Sequence, residues 1–255
     1  MSAVQVSRLE RVLAGQAAEL RARAPRFDPA ALPGDLPGAV GAWLERSLVA
    51  GEPALRLARL GLRGEIRLGR WLPFRAVELL DPHRGFCWRA RVGWGPFRID
   101  GMESYVGREG TTDWRAYGLV PVARLAGGDV TRSNRGRCRA EAVFVPGSLH
   151  PGWGVSFRDV GVGEIEARWD LDGDDAPVRL GIDPDGLLRR AALRRRGAPG
   201  GGASAGDWFI VELDGHRRLG GVLVPGRWEM SWSDRPDGAG DVVLRGTVVG
   251  VEWPG

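Results

Sequence analysis

The chain has 255 residues, a formal net charge of +4 and an isoelectric point near 9.9, and all 36 of its basic residues are arginine. Without lysine, no P-loop nucleotide site, protein-kinase site or Schiff-base chemistry can operate through a residue of this chain. The high isoelectric point follows from a small excess of arginine and a shortage of groups that titrate between histidine and arginine. It therefore does not by itself indicate a nucleic-acid partner.

The first residues carry Arg8, Glu10 and Arg11 and lack the apolar run of a signal peptide. No stretch approaches the ~18 apolar residues of a transmembrane helix. We therefore expect a cytoplasmic protein with no transmembrane segment. In that compartment, Cys87 and Cys138 are expected as buried or half-buried thiols rather than as a disulfide.

Three helices are predicted. The first is indicated by apolar residues at helical spacing that end before Pro25, namely Val6, Leu9, Leu13, Ala17 and Leu20. The second runs from about Leu36 to Ala50, with Asp35 as its cap and Gly51 just after its end. The third, over about 133–145, interrupts a series of strands.

From Leu55 onward the apolar pattern has a period of two, which is typical of half-buried antiparallel strands. Phe86, Trp88, Ala90, Val92 and Trp94 show it, as do the segments 62–68 and 164–171. Turn residues separate about ten such strands, at 81–82, 183–186 and 236–238 among other places.

The predicted fold is mainly β, of the α+β class. It is a strongly curved antiparallel half-barrel sheet with two N-terminal helices and one inserted helix packed on it. We expect residues 1–54 to form the N-terminal helices and residues 55–255 the half-barrel, together as one structural unit. The segment 194–206 is expected to be a loop by its composition.

Several apparent motifs lack the residues or the spacing that their function requires. The acidic stretch 170–175 has Asp175 and Gly181 where an EF-hand needs glycine and a carboxylate, so it is interpreted as a hairpin turn. His83, His150 and His216 lack metal-ligand spacing. We therefore expect no metal and no cofactor. The arginine run at 189–196 is interpreted as a charged edge strand rather than a nucleic-acid site.

Arg139 and Glu141 lie in the predicted third helix, close to aromatic strands. Buried charges need partners. The pair is therefore either a buried structural ion pair, which we favour, or the polar anchor of a pocket.

A resemblance becomes visible in a series of sequence blocks. They are LPGAVGAWLERSL (36–48), RWLPF (70–74), FCWRAR (86–91), YVGREG (105–110), GLVPVA (118–123) and RAEAVFVP (139–146). In this order they resemble an uncharacterised bacterial protein family over residues 36 to 253. The strand pattern is also similar to the LolA-like fold of lipoprotein carriers, a half-open barrel that also occurs in a violacein-pathway enzyme. That likeness implies a concave face able to take a hydrophobic ligand.

The leading hypothesis is a cytosolic protein that binds a hydrophobic or aromatic small molecule in the half-barrel. The expected ligand-binding residues are Trp71, Phe74, Trp88, Trp94, Tyr105, Arg139 and Glu141. An alternative interpretation is that these side chains fill the interior of the barrel rather than line a cavity. A second hypothesis is a specialised-metabolism enzyme with Tyr105 or Glu141 as general acid or base. A third is a structural or regulatory partner protein with an exposed apolar patch.

Overall fold

The computed structural model describes residues 15–95, 97–169, 176–195, 208–238 and 240–254. Three α-helices lie in these ranges: α1 (Ala17–Arg23), α2 (Gly38–Ser47) and α3 (Gly128–Ala140). Short 3-10 turns occupy Pro29–Ala31, Glu141–Phe144, Pro146–Leu149 and Pro151–Trp153. In the described part of the chain, no helix has the length and apolar character needed to cross a membrane.

Fifteen strands account for most of the described residues. They are β1 (Ala58–Leu68), β2 (Arg70–Asp81), β3 (Gly85–Trp94), β4 (Phe97–Val106), β5 (Glu109–Ala116), β6 (Val120–Ala126), β7 (Val155–Gly161), β8 (Glu164–Trp169), β9 (Val178–Ile182), β10 (Leu188–Arg194), β11 (Trp208–Asp214), β12 (Arg217–Leu219), β13 (Val222–Val224), β14 (Arg227–Ser233) and β15 (Asp241–Glu252).

Thirteen of these strands form one antiparallel sheet, in the order β6-β5-β4-β3-β2-β1-β15-β14-β11-β10-β9-β8-β7. The strands β12 and β13 form a separate hairpin. The sheet is open and has β6 and β7 at its edges. The predicted fold class is therefore confirmed, although the expected number of about ten strands was too low. A strand of three residues, such as β12, is too short to show a recognisable alternation of apolar and polar residues.

The sheet is strongly curved where β1 meets β15. Phe74 of β2 and Trp228 of β14 are separated by these two strands, yet their ring centroids are 6.3 Å apart. Three strand spacings in a flat sheet would place them about 14 Å apart. Gly64 of β1 pairs with Gly246 of β15 between them, and neither has a side chain that would keep the rings apart.

Helices α2 and α3 pack on the inner, concave face of the sheet. Val40, Trp43 and Leu44 of α2 are buried in the same core cluster as Trp88 and Phe144. Helix α2 is shorter than predicted: its N-cap is Pro37 rather than Asp35, and its C-cap is Leu48. Gly51 lies beyond this end, in a left-handed turn with a φ of 81°.

The other two helices differ from the predictions in their limits. The residues Val6, Leu9 and Leu13 of the first predicted helix lie outside the described residues, and Ala17 and Leu20 lie in α1. The predicted helix over 133–145 begins earlier, at Gly128, and passes into the 3-10 turn Glu141–Phe144. Its polar N-terminal turns carry no apolar period that could have indicated them.

Cys87 and Cys138 are buried and are not joined in a disulfide, as predicted. The predicted loop at 194–206 falls largely outside the described residues, as do the acidic residues 170–175.

Candidate functional site

The inner face of the sheet contains a buried cluster of charged residues centred on Arg137 of α3. Its Nε donates to Glu141 Oε1 at 2.9 Å, and its Nη1 donates to Glu103 Oε2 at 2.6 Å. Its Nη2 lies 3.8 Å from Glu78 Oε1. The guanidinium carbon is 4.9 Å from the ring centroids of both Phe86 and Trp88. One cation thus joins three carboxyl groups above two aromatic rings.

Strand register brings the sheet members of this cluster together. Glu78 of β2 is opposite Trp88 of β3, which is opposite Glu103 of β4. Residues directly opposite each other share a face of the sheet. All three side chains therefore point to the core, and Arg137 bridges the two carboxyl groups over the ring between them. Arg137 and Glu141 are four residues apart, so helical spacing brings them together.

Burial and the charges within the cluster shift the pKa values of Glu78 and Arg137. Burial, and next the carboxylate of Glu141, raise the pKa of Glu78 well above its ordinary value, and the attraction of Arg137 only partly opposes them. Burial acts to lower the pKa of Arg137, but Glu141, Glu103 and Glu78 outweigh it and raise that pKa. Arg137 is therefore a permanent cation. Of these carboxyl groups, Glu78 is the one whose neutral form is favoured by burial and by the neighbouring Glu141.

Helix α3 is held firmly over this cluster. The amide of Asn134 donates to the carbonyl oxygens of Ser104 at 3.0 Å and Thr111 at 3.1 Å. Arg195, which follows β10, donates to the carbonyl of Ser133 at 2.8 Å and to its hydroxyl at 3.1 Å. Burial and then Arg137 lower the pKa of Arg195 to about 10, so it stays protonated at neutral pH. The helix thus joins strands from both halves of the sheet.

Most of the predicted ligand residues lie in this inner core. Phe74, Trp88, Tyr105, Arg139 and Glu141 are all buried. The partner of Glu141 is Arg137, whereas the guanidinium carbon of Arg139 lies 5.2 Å from the ring centroid of Trp169.

Two predicted residues lie elsewhere. Trp71 is half-buried, and the Arg245 guanidinium carbon lies 4.5 Å from its ring centroid. Trp94 is 53% exposed at the end of β3, opposite Phe97 of β4, which is also exposed. The predicted residues therefore do not form one cluster.

Sequence reasoning missed Arg137, Glu78 and Glu103. The available signal was the strand alternation: Glu78 follows Phe74 and Ala76 at positions that point inward, so a carboxylate in the core could have been inferred. The four-residue spacing of Arg137 and Glu141 was a second signal.

A groove of about 980 Å³ lies across β3, β2, β1, β15, β14 and β11. Most of the side chains that line it alternate with core residues along their strands, and they therefore point away from the core. Arg75, for example, lies between buried Phe74 and Ala76.

Two rows of residues in strand register border this groove. One row runs Asp214, Arg227, Thr247, Arg63, Arg75 and Arg91. The other runs Glu212, Glu229, Arg245, Glu65 and Pro73. Between the rows lie Leu213, Trp228, Gly246, Gly64 and Phe74.

The architecture is an open antiparallel sheet with helices on its inner face. A family model described as a family of unknown function, DUF6544, matches residues 25–241. The chain therefore belongs to this family, and the predicted membership of an uncharacterised family is confirmed. No curated protein matches the chain. Among solved structures, the chain is similar to a LolA superfamily protein from Nitrosomonas europaea. The two share 10% identity with a TM-score of 0.45, over 84% of this chain and 91% of that one.

Proposed function

We propose that this protein binds a small molecule with a hydrophobic or aromatic body in the groove across β3, β2, β1, β15, β14 and β11. The observation that carries the proposal is the size of this groove. Its volume of about 980 Å³ is at the upper end of the range of small-molecule sites, roughly 300–1,000 Å³. A groove of this volume has room for a drug-sized ligand, one side of which would stay open to solvent.

The lining of the groove suits a ligand with a flat apolar part. Arginine side chains offer aliphatic stems and planar guanidinium groups, and both can stack on rings. Arg245 already stacks in this way on Trp71. Of the residues expected to bind a ligand, Phe74 borders the groove, but its side chain is buried and points to the core. Trp71 contacts the groove residue Arg245.

Binding is favoured over catalysis because of where the candidate acid–base groups lie. Tyr105 and Glu141 are buried, and neither lines the groove. General acid–base catalysis needs such a group within hydrogen-bonding reach of the substrate.

Native mass spectrometry of the purified protein tests the proposal. We expect a co-purified small molecule whose mass is lost on denaturation. In the variant Thr247→Trp, an indole would occupy the groove, and the bound species should be lost. Ser156→Trp, on the exposed side of β7 and outside the groove, is the matched control and should retain it. If Thr247→Trp retains the bound species as well as Ser156→Trp does, the groove is not the binding site.

A further inference from the structure

Three arginines stand side by side in one half of the groove. Arg63 of β1 is directly opposite Arg75 of β2, which is directly opposite Arg91 of β3. All three line the groove. Like charges directly opposite one another destabilise a sheet. Such a row therefore destabilises the sheet unless negative charge nearby neutralises it.

Elsewhere on the same sheet, several arginines are opposite carboxylates. Arg59 pairs with Glu252 at 2.9 Å, Arg245 with Glu65 at 2.7 Å and Arg158 with Glu166 at 2.6 Å, and each pair is in direct strand register. Arg63 and Arg75 have no carboxylate within ion-pair distance among the residues that the structure describes. Within the described part of the chain, Arg91 has one such partner, Asp100, which is directly opposite it on β4 at 3.6 Å.

The acidic residues of the groove do not cancel this charge, because arginines already pair with most of them. Glu65 pairs with Arg245, and Asp214 pairs with Arg227. Glu212 pairs with Arg190 at 3.2 Å. The half of the groove formed by β1, β2 and β3 is therefore positive.

We propose that Arg63, Arg75 and Arg91 bind an oxyanion, a carboxylate or a phosphate, of the ligand. This inference rests on the proposed function, since it assigns the anionic end of a ligand held in the same groove. Neighbouring strands are about 4.8 Å apart, so two adjacent guanidinium groups can converge on one oxyanion. The planar fork of arginine matches carboxylate and phosphate oxygens in bidentate geometry. The ligand is thus an anionic amphiphile rather than a neutral apolar molecule.

Two probes of nearly the same shape test this assignment. The first is 8-anilinonaphthalene-1-sulfonate, which carries an oxyanion, and the second is the uncharged N-phenyl-1-naphthylamine. Titration followed by fluorescence should give an affinity for the anionic probe at least tenfold higher than that for the neutral probe. The double variant Arg63→Gln/Arg75→Gln should lower the affinity for the anionic probe by about tenfold or more and leave the neutral probe unchanged.

Arg59→Gln is the matched control, because Arg59 lies on β1 with its side chain paired to Glu252 outside the groove. It should change neither affinity. Removing two repelling charges should not lower the melting temperature of the double variant, so a loss of binding would not reflect unfolding. Competition by inorganic phosphate or by acetate should identify the preferred oxyanion.

The outcomes separate the two proposals. If Thr247→Trp blocks both probes but the double variant binds the anionic probe as tightly as the unmodified protein, the groove binds ligands and the oxyanion assignment is wrong. The same conclusion follows if the two probes bind the unmodified protein equally. If Thr247→Trp blocks neither probe, the groove is not the probe site, and both proposals are overturned.

Discussion

At the scale of single residues, the Arg137 cluster shows how a core tolerates four ionisable side chains. Three ionised carboxylates around one guanidinium would leave an excess of negative charge in a low-dielectric interior. The raised pKa of Glu78 favours its neutral form and so reduces that excess, while Glu103 and Glu141 are the direct hydrogen-bond partners of Arg137. The two glutamates on the sheet therefore have different roles, although they flank the same tryptophan.

The two roles predict different effects of the same substitution. Glu78→Gln introduces a neutral group of the same shape at a position where burial already favours the neutral carboxyl, so the free energy of unfolding at pH 7 should change by less than about 1 kcal/mol. Glu103→Gln removes the carboxyl group that accepts directly from Arg137, a buried cation, and should cost about 3–5 kcal/mol. Urea denaturation followed by circular dichroism gives both values. Equal losses in the two variants would contradict the different roles of Glu78 and Glu103.

His83 predicts a pH dependence of stability. Burial lowers the pKa of His83 from 6.5 to about 3, and its Nε2 lies 2.7 Å from the carbonyl oxygen of Ser148. Between these two pH values the unfolded chain binds a proton that the folded protein does not. Stability from this group is therefore fully present above pH 6.5 and is lost as the pH falls toward 3, by up to about 1.4 kcal/mol per pH unit.

The comparison of the unmodified protein with His83→Gln isolates this contribution. Glutamine can still donate to Ser148 but does not titrate, so the stability of the variant should fall less steeply between pH 6 and pH 4. Other groups, including Glu78 and Asp81, titrate in both proteins and cancel in the difference. Parallel stability curves over this range would show that His83 is not a buried neutral side chain.

At the scale of elements, the position of α3 depends on a close approach to β5. A Cβ on Gly110 would lie 2.6 Å from the Cα of Thr131 and 2.8 Å from the carbonyl oxygen of Val130. Both are backbone atoms of α3, so the contact can be relieved only by moving the helix. The amide of Gly110 also donates to the hydroxyl of Thr131 at 3.0 Å.

Gly110→Ala should therefore destabilise the protein by about 1–3 kcal/mol, as overpacking does. The matched control is Gly41→Ala in the middle of α2, where a Cβ would have no atom within 4 Å. That change should stabilise the protein by about 0.5–1 kcal/mol, because alanine is the better helix former. Thermal denaturation of the two variants measures the contrast. Similar melting temperatures would mean that α3 does not depend on this contact.

The elements also show what sequence alone can establish. The alternation of apolar and polar residues predicted strands in the segments that form β3 and β8. This alternation depends only on which face of each strand is buried. The curvature at Gly64 and Gly246 depends instead on the pairing of β1 with β15. Residues that pair across these strands are almost 200 positions apart in the sequence, as Arg59 and Glu252 are. The row of Arg63, Arg75 and Arg91 likewise exists only once three strands are in register. The curvature and the arginine row were not predicted because they depend on which strands pair, and the local sequence pattern does not show that.

At the scale of the whole molecule, the sheet joins the first and the last of the described strands. Strand β1 lies between β2 and β15, so strands far apart in the sequence meet at the centre of the sheet. Helix α3 then connects β4 and β5 with the segment after β10 through Asn134, Arg137 and Arg195. Both arrangements favour one cooperative unit rather than separate halves. Contacts so distant in sequence also favour slow folding.

Helix α2 of the N-terminal segment packs into the core of the sheet. Val40 and Leu44 of α2 are completely buried, and Trp43 is 2% exposed in the same core cluster as the sheet residues. A fragment comprising residues 55–255 would expose the apolar surface that these three side chains cover, at a cost of roughly 1.5–3 kcal/mol for each of them. A loss of that size is comparable with the whole stability of many domains.

We therefore expect the 55–255 fragment to lose its near-ultraviolet circular dichroism and its cooperative thermal transition. A fragment comprising residues 25–255 is the matched control, because it lacks α1 but keeps α2 and the complete region that the family model matches. It should unfold in a single transition, with a smaller loss from Leu20, which packs on Leu57 and Leu79. A 55–255 fragment that unfolds cooperatively, with an unchanged near-ultraviolet spectrum, would show that the half-barrel is a domain independent of its helices.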